Sequence, residues 1–277
     1  MSRGEEAAKR AAAEFRHQYR LGTQPLGDLV ALIENTIGCD VAVLEAPGDG
    51  HGLTVRDPVT GTVFIGVLRS DSPMRQRSSL AHELGHLVSD DWENGEQLSS
   101  SDPREVRANA FARHLLIPEE GLREVLGQRR DATLKDLSDV VQHFLVSPAI
   151  AVIAMRESGY ISAEAAAEWK RQSSRALATR FGWTDQYKSL QEASNRTRAP
   201  QTLLARSVRG YVEGVVGAQT IASLRQVPVE QVVAELKEAG VVPLVFDSYE
   251  VSADSLGAEP TDFDDFPENP GEEWRSV

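Results

Sequence analysis

The chain has 277 residues, 41% of them hydrophobic and 26% charged, and its net charge is −13. This is globular composition, sufficient for one large core or two domains, and the single cysteine, Cys39, excludes an intrachain disulfide and a cysteine-rich metal cluster. The charged N-terminus has no apolar signal-peptide core, and no apolar run approaches the roughly 18 residues of a membrane span. We therefore expect a cytoplasmic protein with no membrane partner.

The first third of the chain predicts two helices and a small sheet. Residues 5–20 and 26–37 have apolar side chains at helical spacing, and Gly38 is a typical helix stop. Three short, β-branched segments separated by Gly, Asp and Pro follow, at 39–46, 51–57 and 61–68. They predict a three-stranded, antiparallel sheet. Its third strand, with "VFIGVL" at 63–68, is a candidate edge on which an extended peptide could pair.

From residue 73 onward the pattern is almost entirely helical. Residues 133–162 predict a helix, a tight turn and a second helix that begins after Ser147. A DNA-binding helix-turn-helix is disfavoured, because the second helix offers only Arg156 as a base. The polar stretch 187–201 is a candidate linker, and a last helix is expected from about Pro228 to Ala239.

We expect four parts in this chain: an N-terminal domain of helices and a small sheet at 1–125, a helical region at 126–186, a C-terminal helical region at 187–245 and a tail at 246–277. The tail has ten acidic residues and one basic residue, so it carries −9 of the total charge. It is also rich in Pro and Gly, and we expect it to be disordered. A solubilising role is favoured over binding to a partner or mimicry of DNA.

The stretch "SSLAHELGHLVSDD" at 78–91 contains an H-E-x-x-H motif. On a helix, His82 and His86 lie about 40° apart, opposite an apolar stripe formed by Leu80, Leu84, Leu87 and Val88. Both imidazoles can therefore reach one metal ion, with Glu83 beside them as a base for a bound water. Gly85 leaves room for another backbone to approach. The alternative is an exposed polar helix face with no metal.

A zinc site with an open position needs a third protein ligand. Position 92 is Trp92, which excludes the peptidase class with a third His six residues after the motif. A second helix, predicted from Asp102 as cap to about Ile117, supplies Glu105 instead. Ala108 and Ala112 share the face of Glu105 and allow close packing, and Asn109 is positioned to orient a ligand imidazole. Glu105 could alternatively cap its own helix, since Asp102 and Glu105 have capping-box spacing.

The two motifs "RQRSSLAHELGHLV" and "EVRANAFARHLLIP" together resemble the ImmA/IrrE family of metallopeptidases. The resemblance extends to residues 13–72 and 133–162 and thins after about 185. It implies an α+β, mostly helical fold with a minimal zincin-like core, in which His82, His86 and Glu105 bind zinc and Glu83 is the catalytic base. Ser78, Ser79 and Arg107 depart from the usual family pattern.

The expected function is therefore a zinc endopeptidase of the gluzincin type, although two His and one Glu could also hold manganese or iron. The resemblance implies an anti-repressor, which cleaves an Xre-type helix-turn-helix repressor and releases stress or mobile-element genes. Two alternatives remain, a non-cleaving regulator with a structural zinc and a DNA-binding transcription factor. Candidate oxyanion donors are Tyr160, His51 and Arg77.

Overall fold

The computed structural model describes residues 3–45, 52–57, 59–91 and 99–244. The acidic tail at 246–277 lies outside these residues, as do His51 and Trp92. The described ranges contain thirteen helices and three strands, so the mostly helical α+β prediction is confirmed. The elements up to residue 126 are α1 (Arg3–Gln18), α2 (Leu29–Ile37), β1 (Asp40–Leu44), β2 (Gly52–Arg56), β3 (Val63–Leu68), α3 (Pro73–Ser89), α4 (Pro103–Leu116) and α5 (Glu119–Leu126).

Eight further helices follow: α6 (Leu134–Phe144), α7 (Pro148–Glu157), α8 (Ala163–Trp169), α9 (Ser174–Phe181), α10 (Thr184–Ser194), α11 (Gln201–Val212), α12 (Ala218–Arg225) and α13 (Val229–Glu238). Most boundaries agree with the sequence signals. The α2 helix begins three residues later than predicted, because Asp28 is its N-cap and accepts a hydrogen bond from the Ala31 amide. It ends, as predicted, at Gly38, whose φ is 70°.

The three strands form one sheet in the order β1-β3-β2. The antiparallel prediction was wrong for β1, which pairs in parallel with β3, whereas β2 and β3 are antiparallel. Strand spacing in sequence cannot reveal orientation, because either pairing buries the same alternating side chains. The prediction of 63–68 as an edge was also wrong, since β3 is central and β2 is an edge strand.

Helix α4 packs against both α1 and α3. In α3, Leu80 and Leu84 are buried, as the apolar stripe predicted, but Val88 is 37% exposed. The stripe turns away from the core near the C-terminal end of α3. The sheet packs on the same helix through β2 and β3, so α3 is enclosed between the sheet and α4.

The helix pair α6 and α7 is a packing unit. The two helices meet at an angle of 113°, after a turn in which Leu145 has a φ of 55°. Ala151, Val152 and Met155 of α7 are fully buried and attach this helix to the core. Among the described residues no single helix is long and apolar enough to cross a membrane, and only this bent pair, taken together, meets the length and composition criteria.

The stretch predicted as a linker at 187–201 is largely structured. Residues 187–194 belong to α10, which packs on α3, and the side-chain amide of Gln76 donates to the Ser194 carbonyl over 2.8 Å. Arg198 then exchanges backbone hydrogen bonds of 2.9 Å with Val43 of β1. Beyond it, α12 and α13 form a small separate hydrophobic cluster centred on Ile221, Ala222, Val232 and Leu236. The predicted domain boundaries at 125 and 186 stay predictions.

Candidate metal centre

The two histidines of α3 converge on one point. His82 and His86 are four residues apart, and their Nε2 atoms are 3.1 Å from each other. Their side chains are only 15% and 8% exposed. The sequence placed them on the face opposite the core stripe, and α4 covers that face. The alternative of a solvent-exposed polar face is therefore wrong.

Glu105 is directed at the same point by α4. Asp102 caps this helix by accepting from the Arg104 amide over 2.8 Å, and Pro103 occupies the first turn. The Glu105 carboxylate lies 3.3 Å from Nε2 of His82 and 3.2 Å from Nε2 of His86. The cap of α4 is thus Asp102, and the Glu105 carboxylate faces the histidines.

A glycine brings the two helices close enough for this convergence. A Cβ at Gly85 would lie 3.1 Å from Cα and 3.2 Å from the carbonyl oxygen of Ala108, and 3.1 Å from Cδ1 of Phe111. Contacts this short are tighter than most real Cβ contacts, so a side chain here would require the two helices to shift apart by a few tenths of an ångström. The small residues that the sequence flagged at positions 85 and 108 therefore meet across the α3–α4 contact.

The spacing of the three groups fits a tetrahedral metal site. Zinc bonds of about 2.0–2.1 Å predict ligand atoms about 3.3 Å apart, and the distances among the three groups are 3.1–3.3 Å. Burial, and secondarily the charge of His86, lower the pKa of the His82 imidazole. This favours the neutral imidazole, which is the form that binds metals. The residues present therefore fit a divalent transition metal.

Glu83 lies beside the three groups rather than among them. Its residue is buried, and the Thr54 hydroxyl of β2 donates to Oε2 over 2.6 Å. A Cβ at Gly52 would come within 2.6 Å of Oε1. The carboxylate therefore uses space left by a glycine of the adjacent strand. Sequence reasoning missed Thr54, because no local signal links β2 to α3.

The second nitrogen of each imidazole also has a partner. Nδ1 of His82 lies 3.1 Å from Oδ1 of Asn109, the contact expected from the sequence. Nδ1 of His86 lies 3.0 Å from Oδ1 of Asp91, and the Arg107 guanidinium pairs with Oδ2 of the same carboxylate. Asp91 was missed, although an acid shortly after the second histidine is a signal for such a partner.

Other candidates have structural contacts. Arg77 donates to the carbonyls of Leu145 (3.1 Å) and Gly27 (2.6 Å), and the Tyr160 hydroxyl donates to the Gly127 carbonyl over 3.1 Å. These bonds engage two of the three groups considered as oxyanion donors, and the third, His51, lies outside the described residues.

His114 belongs to a separate cluster with Glu5 and Glu157. Its Nε2 lies 2.8 Å from Glu5, and Arg113 pairs with both acids. Because a guanidinium already lies between the carboxylates, this cluster is an ion-pair network.

The H-E-x-x-H helix and the candidate metal site lie in a region that matches a metallopeptidase family. Residues 39–156 match the family model Peptidase_M78, described as the IrrE N-terminal-like domain. The match confirms the resemblance to ImmA/IrrE metallopeptidases over these residues, and a metallopeptidase family implies a metal and a protein substrate. The match contains β1 to α6, nearly all of α7 and all of the candidate site. No curated protein matches the chain.

Proposed function

We propose that this protein is a zinc-dependent endopeptidase with His82, His86 and Glu105 as ligands and Glu83 as the catalytic base. The observation that carries the proposal is the convergence of three ligand groups, 3.1–3.3 Å apart, beside a fourth, separately held carboxylate. Two imidazoles and one carboxylate leave the fourth position of a tetrahedral ion for water or substrate, as in catalytic rather than structural sites.

Zinc is the best match to two nitrogens and one oxygen in this geometry, although manganese or iron could use the same groups. When bound, the metal would polarise the substrate carbonyl and lower the pKa of a water molecule. Asn109 would keep His82 in the tautomer that presents Nε2 to the ion.

Glu83 would take a proton from the attacking water and later pass it to the leaving amine as the C–N bond breaks. Its burial and the hydrogen bond from Thr54 support this role, because they hold the carboxylate in one orientation. A polar residue on a solvent-exposed helix face is not normally fixed by such contacts.

A protein substrate would bind in extended form along β2, the edge strand that contacts α3. Strand pairing would bring the scissile bond past Glu83, since Thr54 of this strand donates a hydrogen bond to that carboxylate and Gly52 leaves space for it. The resemblance to ImmA/IrrE proteins supports an Xre-type helix-turn-helix repressor as the substrate, and release of stress or mobile-element genes as the outcome.

The test compares the wild-type protein with Glu83→Gln, using a helix-turn-helix repressor encoded beside the gene and measuring zinc content by elemental analysis. We expect the variant to retain zinc and to lose cleavage by at least about 100-fold, the typical contribution of a general base. Glu120→Gln, on the exposed side of α5, is the matched control with the same charge change. Full cleavage by Glu83→Gln at normal zinc loading would refute the assignment.

The same experiment separates the competing functions. A repressor that stays intact yet leaves its operator when the wild-type protein is added would indicate a non-cleaving regulator. Salt-sensitive binding of the isolated protein to duplex DNA would indicate a transcription factor. The composition of α7 argues against the latter, because Arg156 is the only basic residue of this helix.

A further inference from the structure

A carboxylate behind His86 is held by contacts from two different helices. The chain leaves α3 through Asp90, whose φ of 49° places it in the left-handed region. This turn brings Asp91 back to the helix, where its amide donates to the His86 carbonyl over 3.3 Å. Its Oδ1 lies 3.0 Å from Nδ1 of the same residue. Asp91 thus touches both the backbone and the ring of His86.

The opposite oxygen of Asp91 is engaged by α4. The Arg107 guanidinium pairs with Oδ2, and the side chains of Asp91 and Arg107 are 11% and 31% exposed. Both carboxylate oxygens are therefore used, one by each helix. Glu105 lies two residues before Arg107 on the same helix. The contacts of Asp91 with His86 and Arg107 therefore connect His86 on α3 to the helix that carries Glu105.

We propose that Asp91 and Arg107 form a positioning pair that fixes the tautomer and ring orientation of His86 for metal binding. The proposal rests on the proposed metal site. A carboxylate at Nδ1 keeps the proton there, so the Nε2 lone pair points towards Glu105 and the ion. Arg107 holds the carboxylate in place and offsets the cost of burying its charge.

Because of this pair, the two histidines have different hydrogen-bond partners at Nδ1. His82 has a neutral amide oxygen as its partner, at 3.1 Å, whereas His86 has a carboxylate at 3.0 Å. Hydrogen bonds to an ionised acceptor are roughly twice as strong as neutral ones. Asp91 therefore contributes more to the site than Asn109 does.

The experiment measures zinc affinity of the full chain by competition with a chromophoric chelator, and the visible absorption spectrum of the cobalt-substituted protein. Asp91→Ala and Asp91→Asn are expected to weaken zinc binding by about 10–100-fold, the usual effect of removing such a partner, and to shift the cobalt bands. Asn109→Ala should have a smaller effect. Arg107→Met should also weaken binding, and Arg107→Lys should recover part of the loss. Asp90→Asn, the same charge change at the neighbouring exposed position, should change neither readout.

Wild-type zinc affinity and an unchanged cobalt spectrum in Asp91→Ala would overturn the pairing with His86, and unchanged affinity in Arg107→Met would remove Arg107 from it. Circular dichroism of each variant checks folding, and the isosteric Asp91→Asn keeps the test decisive if Asp91→Ala does not fold. Failure of the proposed function has a different signature. In that case the wild-type protein binds no zinc, or the Glu83→Gln variant still cleaves, whatever Asp91 does.

Discussion

The contact between α3 and α4 at Gly85 makes a prediction in which two effects oppose each other. Replacing a helical glycine by alanine stabilises a helix by about 1 kcal/mol. At Gly85, however, the new methyl would lie 3.1 Å from Cα and 3.2 Å from the carbonyl oxygen of Ala108. Overpacking of this kind costs about 1–3 kcal/mol, and the neighbour is backbone that cannot rotate away. We expect Gly85→Ala to be destabilising by about 1 kcal/mol overall.

The same change should weaken metal binding. Moving α4 outward by a few tenths of an ångström would lengthen the 3.2 and 3.3 Å distances between Glu105 and the two histidines. These distances now match the tetrahedral spacing of about 3.3 Å. If about 1.4 kcal/mol of strain falls on the metal-loaded state, zinc affinity decreases about tenfold.

Thermal unfolding and chelator competition measure the two effects. A loss of about 1 kcal/mol corresponds to a melting temperature lower by about 2–4 °C in a chain of this size. Gly210→Ala is the control, because its methyl would meet only the Val216 side chain, at 3.2 Å, and a side chain can move. It should leave stability unchanged or slightly raised. A Gly85→Ala protein that melts higher than wild type and binds zinc equally well would refute the reasoning.

Three further changes test other parts of the structure. Thr54→Val removes the 2.6 Å hydrogen bond to Glu83 and should lower kcat about tenfold, for a loss of about 1.4 kcal/mol, while zinc content stays unchanged. The control Thr54→Ser keeps the hydroxyl and should retain activity. A fully active Thr54→Val protein would contradict this role of Thr54. Burial raises the pKa of the Cys39 thiol to about 11. A thiol reagent at pH 8 should therefore modify the native protein only slowly and the unfolded protein quickly. Rapid labelling of the native protein would show that the thiol is accessible. Arg16→Met removes the guanidinium that donates to the carbonyls of Leu115 and the 22–24 turn. The free energy of unfolding, measured with urea, should fall by about 2–4 kcal/mol. Wild-type stability would mean that these carbonyls need no partner.

Local signals in the sequence were enough to predict the elements that carry the candidate site. The helical phase of His82 and His86, the cap at Asp102 and the small residues around Glu105 are all encoded within one or two turns of chain, and the structure has the helices where these signals put them. Helix caps and apolar periodicity act between neighbours in sequence, so a single chain reveals them. The family resemblance then linked two motifs that lie apart in the sequence, and in the structure the side chains of His82, His86 and Glu105 from these motifs converge.

Contacts between distant segments were decided only by the tertiary structure. The parallel pairing of β1 with β3, the central position of β3 and the packing of α10 on α3 depend on which surfaces meet, and the same alternating or helical pattern permits several arrangements. The hydrogen bond from Thr54 to Glu83 likewise joins residues 29 positions apart, and the ion pair of Arg107 with Asp91 joins residues 16 positions apart. The sequence by itself determined which residues could bind a metal and on which helices they lie. The fold determined that they converge, because only packing of α4 across Gly85 sets the distance between Glu105 and the two histidines.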